Sequence, residues 1–112
     1  MSLFEKQLLA LHYNGSYITN FELGRIAQSI DIELDLADRE KMLKALLKKA
    51  QEQDKMADLV QALTRLLNKR IDEYGELLQL HPKAKDVIGS YIQKTRSTIM
   101  LLQQRLRMNP YE

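Results

Sequence analysis

The sequence predicts an all-α fold: a small antiparallel helical bundle of about five helices, dominated by a long C-terminal helical hairpin. Three observations predict it. Apolar residues recur at three- and four-residue steps along most of the chain, the spacing that lines one face of a helix. Only two prolines and four glycines interrupt 112 residues otherwise rich in Leu, Lys, Glu, Gln and Ala, which favour helix. No run alternates at period two for long enough to form a strand.

The elements follow in order. Ser2 with Glu5 three residues on matches a capping box, and Leu3, Phe4, Leu8, Leu9 and Leu11 follow, so a first short helix is expected to about Tyr13. Asn14-Gly15 stops it, since both residues tolerate the left-handed conformation of a helix C-terminus. Thr19 with Glu22 offers a second capping box, opening a short helix that carries Phe21, Leu23, Ile26, Ala27 and Ile30 inward. Asp31 to Asp35 alternates acid and apolar residues for five positions and reads as an extended connector. Asp35 is expected to cap a third helix with Leu36, Leu43, Leu46, Leu47 and Ala50 on one face and Lys41, Lys44 and Lys48 on the other. Glu40 and Lys44 are spaced for an i,i+4 ion pair. Residues 51–54 hold neither Gly nor Pro, so this is the weakest boundary; a break is expected with Asp54 as N-cap, the alternative being one helix from Leu36 to Leu80.

The hairpin is expected over residues 54–108, with the shorter helices of 1–53 packed on it and 109–112 as a tail, all in a single domain. Its first stripe runs Met56, Leu59, Val60, Leu63, Leu66, Leu67, Ile71, Tyr74, Leu77 and Leu78. The second runs Ile88, Ile92, Thr95, Ile99, Leu102 and Leu106, a heptad seam widened by Val87, Tyr91, Met100 and Leu101. Between them Pro82 ends one helix at His81 and opens the next, because proline lacks an amide hydrogen and restricts the residue before it. A connection this short makes antiparallel packing the simplest outcome. Gly75 and Gly89 lie about equally far from that turn, which predicts a close backbone approach there, with a hinge as the alternative.

Composition narrows the function. An apolar share of 45% and a charged share of 29% are those of a globular domain, not a disordered chain. The absence of cysteine removes disulfides, thiolate nucleophiles and cysteine-bound zinc. With no basic-then-apolar leader and no apolar run of ~18 residues, neither export nor membrane spanning is expected and the cytoplasm is the default. Residues 1–53 carry seven Lys/Arg against eight Asp/Glu and residues 54–112 carry ten against seven, a net +2 too small to demand a polyanionic partner.

Catalytic, metal and cofactor chemistry all lack their residues. Asp31, Glu33 and Asp35 sit at positions one, three and five of an EF-hand-like spacing, but Leu36 and Met42 occupy the positions where glycine and a bidentate glutamate are needed. His12 and His81 belong to no zinc-protease or di-iron pattern. His81 beside Pro82 reads as a helix-end residue. No glycine-rich phosphate loop exists, and Asp72, Glu73 and Glu76 read as a solvated helix face. No catalytic, cofactor-binding or metal-ligating residue is therefore expected, and no enzyme.

What remains is contact. Helices apolar round more than half their circumference need partners. Tyr74, Tyr91, Met100, Leu101 and Met108 are the expected protein interface, in an adaptor, accessory or assembly factor working through amphipathic helix faces. A homodimer completing a larger bundle and a monomer whose shorter helices cover that surface are both open expectations. The alternative function is nucleic-acid association through Lys41, Lys44, Lys48 and Lys55 on the third helix. Interspersed acids and the lack of interleaved aromatic residues weigh against it.

Overall fold

The computed structural model describes residues 18–107, with side chains through Gln104. Helices account for 83% of the described residues, and no strand occurs among them, so the fold is all-α. Four α-helices follow one another: α1 Asn20–Ser29, α2 Arg39–Glu52, α3 Met56–Leu80 and α4 Lys85–Arg107, with a 3₁₀ turn at Pro82–Ala84 between the last two. The expected first helix to Tyr13, His12, the Asn14-Gly15 stop, Met108 and the tail lie outside the described residues.

The capping box at Thr19 forms: its hydroxyl accepts from the Glu22 amide at 3.1 Å, and the Glu22 carboxylate accepts from the Thr19 amide at 3.1 Å. Leu23, Ile26 and Ala27 take the buried face of α1. Phe21, expected inside, is exposed. It falls on the opposite side of the helix from Leu23, where the Arg25 guanidinium one turn on lies 4.7 Å from its ring centroid.

Both short helices end in the same way. The Asp31 amide donates to the Gln28 carbonyl and the Ile32 amide to that of Ala27; the Asp54 amide donates to Gln51 and the Lys55 amide to Ala50. These are paired Schellman closures, in which the residue past the helix end turns left-handed. Asp31 and Asp54 each have φ 57°, at a position where glycine is usual. Asp54 therefore closes α2 instead of capping α3, and the N-cap of α3 is Lys55 without a side-chain cap. The expected break at 51–54 is present.

Helix α2 starts three residues later than expected. Asp38, not Asp35, caps it, accepting from the Lys41 amide at 3.0 Å, and Leu36 is 87% exposed in the connector. An aspartate at either position can cap. The later start lets Leu34 and Ala37 pack on the core and gives the Ala37 carbonyl to the Asn20 amide group at 2.9 Å.

The core gathers Leu23, Ile26, Ile32, Met42, Leu43, Leu46, Leu47, Leu59, Val60, Leu63, Leu67 and Leu102. Helices α3 and α4 make the most extensive contact of any two described elements. Along α4 the buried residues are Ile88, Thr95, Thr98 and Leu102, whereas Ile92 and Ile99 are only half-buried. The seam is thus rotated toward Tyr91 and Thr98 from the predicted isoleucine row. It accommodates both threonines because their hydroxyls donate back to the Tyr91 and Lys94 carbonyls at 2.7 and 2.8 Å, leaving no unsatisfied buried hydroxyl.

The close approach expected at Gly75 and Gly89 is absent. A Cβ added at either would meet nothing within 4 Å.

Candidate functional site

Helix α3 is the longest element, 25 residues, or ~37 Å at the usual helical rise. Among the described residues, shorter elements cover only its first part. Helix α1 begins beside Arg70, whose guanidinium donates to the Glu22 carboxylate. It ends beside the start of α3, where the Lys55 ammonium donates to the Asp31 carbonyl at 3.0 Å. Ten residues of α1 span ~15 Å, so α1 covers α3 between residues 55 and 70 and no further.

The consequence is visible along one face. By steps of three and four, Leu59, Ala62, Leu66, Arg70, Glu73, Leu77 and Leu80 form one row of α3. Leu59 and Ala62 are buried, Leu66, Arg70 and Glu73 half-buried, Leu77 is 43% exposed and Leu80 73%. On α4 Leu102, Thr98 and Ile88 are buried along the seam, Tyr91 is half-buried, and Val87 beside Ile88 is 55% exposed. Leu77 and Val87 were expected to face the core. They do not: among the described residues, the covering elements stop before they reach the turn.

Of the residues predicted for a protein interface, Tyr74 and Tyr91 are brought together. Their rings lie 5.7 Å apart at 43°, a tilted aromatic pair that holds α3 to α4. Burial raises the Tyr74 phenol above its ordinary pKa of 10.0; the Arg70 charge opposes this, and Tyr91 and Glu73 add to it. Met100 is exposed on α4, away from the seam, and Leu101 is half-buried. Met108 lies outside the described residues. The sequence places Leu77 and Val87 in the core-facing stripes by their spacing, and leaves Leu80 outside them. Only the 3.6-residue pattern was legible, not the length of the elements that would cover it.

Lys41, Lys44 and Lys48 share the outer face of α2, but the first two are engaged. Lys41 lies 3.7 Å from Asp38 and Lys44 3.1 Å from Glu40. Lys55 falls beyond the helix break, its ammonium on the connector. Lys49 likewise donates to the Glu33 carbonyl. The two lysines therefore hold the stretch between α1 and α2. A phosphate on this face would compete with acids already in place.

Among the described residues no three acids or histidines converge as a metal site requires, and no helix is long and apolar enough to cross a membrane.

Comparison finds no family model that matches this chain, and no significant match among curated proteins or solved structures. Its own geometry carries the argument.

Proposed function

We propose that this chain is a non-catalytic helical interaction module, an adaptor or assembly factor, built on an antiparallel α3–α4 hairpin that presents an apolar face near its turn. Two features support the hairpin. Tyr74 and Tyr91 stand about equally far from the Pro82 turn and pair directly. Leu59, Leu63 and Leu67, far back on α3, share a core cluster with Leu102, far along α4.

One observation carries the functional reading: Leu77, Leu80 and Val87, in the segments that flank the turn, are each exposed. Solvent-facing leucine singly is ordinary, but successive large apolar residues exposed at the end of an otherwise buried helix row, as Leu77 and Leu80 are, are a feature of contact surfaces. A partner helix laid across it would bury these side chains in the manner of helix-in-groove recognition. The charged, engaged lysines of α2 offer less to nucleic acid. If they bound it, affinity would fall steeply with salt.

Site-specific photocrosslinking in the native host tests the reading. A photoreactive residue at position 80 should give a discrete adduct that Leu77→Glu abolishes, and the same residue at position 100 should not give it. Equal adducts at both positions, or an adduct indifferent to Leu77→Glu, would refute a face-specific contact.

A further inference from the structure

We propose that the outward surface of α4 lies in the major groove of a nucleic acid duplex, with Lys94 and Arg96 on the phosphates at either side. Charge is segregated along the chain. Fourteen of the fifteen Asp/Glu residues lie at or before Asp86, and the other is Glu112. From Val87 to Arg107 the helix therefore carries Lys94, Arg96, Arg105 and Arg107 and no acid. Lys94 and Arg96 are exposed, and neither joins the ion pairs that Lys41, Lys44 and Arg70 make with their acids. The lysines of α2 are thus partly neutralised where those of α4 are not. A net charge of +2 for the whole chain conceals the difference.

The placement of the charges favours a duplex. At about 100° per residue, Lys94 and Arg96 stand about 160° apart round the helix. Between them on the outer side lie the exposed Gln93, Ser97, Met100 and Gln104; on the inner side lie the buried Thr95, Thr98 and Leu102. Arg105 and Arg107 repeat the two edge positions eleven residues on, which is ~3 turns of helix. The result is a half-cylinder with a cation at each border and uncharged hydrogen-bonding groups along the middle. A major groove about 12 Å wide admits a helix of about that diameter, with base edges on its floor and a phosphate strand on each side. Glutamine at the centre has the amide geometry to pair with adenine.

Other occupants suit this surface less well. Single strands are held by aromatic side chains that stack on the bases, and the one aromatic residue of α4, Tyr91, is half-buried against Tyr74. A protein interface needs an apolar centre, and Met100 is the sole large apolar residue exposed on α4 beyond Val87 among the described residues. Leu77 and Leu80 lie outside this surface, so a protein contact there and a duplex on α4 are separate events.

Titration of the full-length protein into a labelled DNA duplex of about 20 base pairs and mixed sequence, at several salt concentrations, tests the assignment. Lys94→Gln with Arg96→Gln should lower the slope of log affinity against log salt by about one for each residue. Both side chains are exposed, so circular dichroism should show the fold retained; if the double variant unfolds, either single substitution, losing about one unit of slope, replaces it. Lys41→Gln with Lys44→Gln and Lys48→Gln removes one charge more and should leave the slope unchanged. No binding at about 50 mM salt, or a larger loss in the α2 variant than in the α4 variant, would overturn the inference. So would tighter binding to the corresponding single strand, and so would equal affinity for polyglutamate, which would assign the surface to an acidic protein instead.

Discussion

Single residues in this chain are set against their backbone in two ways, and each gives a signed prediction. Gly75 and Gly89 occupy helix interiors with open space where a Cβ would stand, so nothing offsets glycine's conformational cost. Gly75→Ala should raise stability by about 0.8–1 kcal/mol in urea unfolding, and Gly89→Ala by a similar amount; a loss would show that the backbones need the room. Asp31 and Asp54 hold the left-handed position that glycine tolerates best. Asp54→Gly should therefore stabilise by about 0.5–1 kcal/mol. The sequence hid both facts, because matched glycines suggest contact and an aspartate before a helix suggests a cap. Only the hydrogen bonds from the Asp54 and Lys55 amides back to Gln51 and Ala50 identify Asp54 as a terminator. Tyr74 adds a pH dependence. Its folded pKa is raised, chiefly by burial, so the fold favours the neutral phenol. The stability this brings is complete below the unfolded value of 10.0 and is lost as pH rises through the higher folded value. Denaturation across that window should show a decline that Tyr74→Phe reduces.

Elements were legible in proportion to how local their causes are. The Thr19 capping box, the stop at His81 and the break after Glu52 depend on neighbouring residues and were expected where they occur. The start of α2 was not, since Asp35 and Asp38 are equal candidates locally and the packing of Ala37 decides between them. The seam of α4 was displaced for a similar reason: hydrophobicity favours Ile92 and Ile99, yet Thr95 and Thr98 can be buried by donating to their own helix. What joins α1 to α3 is the Glu22–Arg70 pair, with side chains only 20% and 21% exposed. Glu22→Gln retains a capping-box residue while removing the charge. It should cost about 1–3 kcal/mol, more than an exposed pair, because the Arg70 guanidinium would lose the Glu22 charge in a partly desolvated site, keeping the Glu73 carboxylate at 3.7 Å.

At the scale of the molecule, the long helices project past the elements that cover them. The extents of 45 × 29 × 21 Å describe an elongated body whose main core cluster, formed by residues 23–67 with Leu102, stops short of the turn, near which Ile88 is also buried. That mismatch of lengths is the source of the apolar face, and no stripe of sequence reveals it. The interface was expected around Tyr74 and Tyr91, whose half-buried rings pair with each other; the proposed face adds Leu77 and Leu80, further along α3. The most direct measurement compares Leu67→Ala with Leu80→Ala in equilibrium unfolding of the full chain. Leu67, fully buried, should cost about 2–5 kcal/mol, whereas Leu80 should cost less than about 1 kcal/mol. A core-sized loss at Leu80 would contradict the account, because that residue would then be holding the fold together instead of being presented for contact.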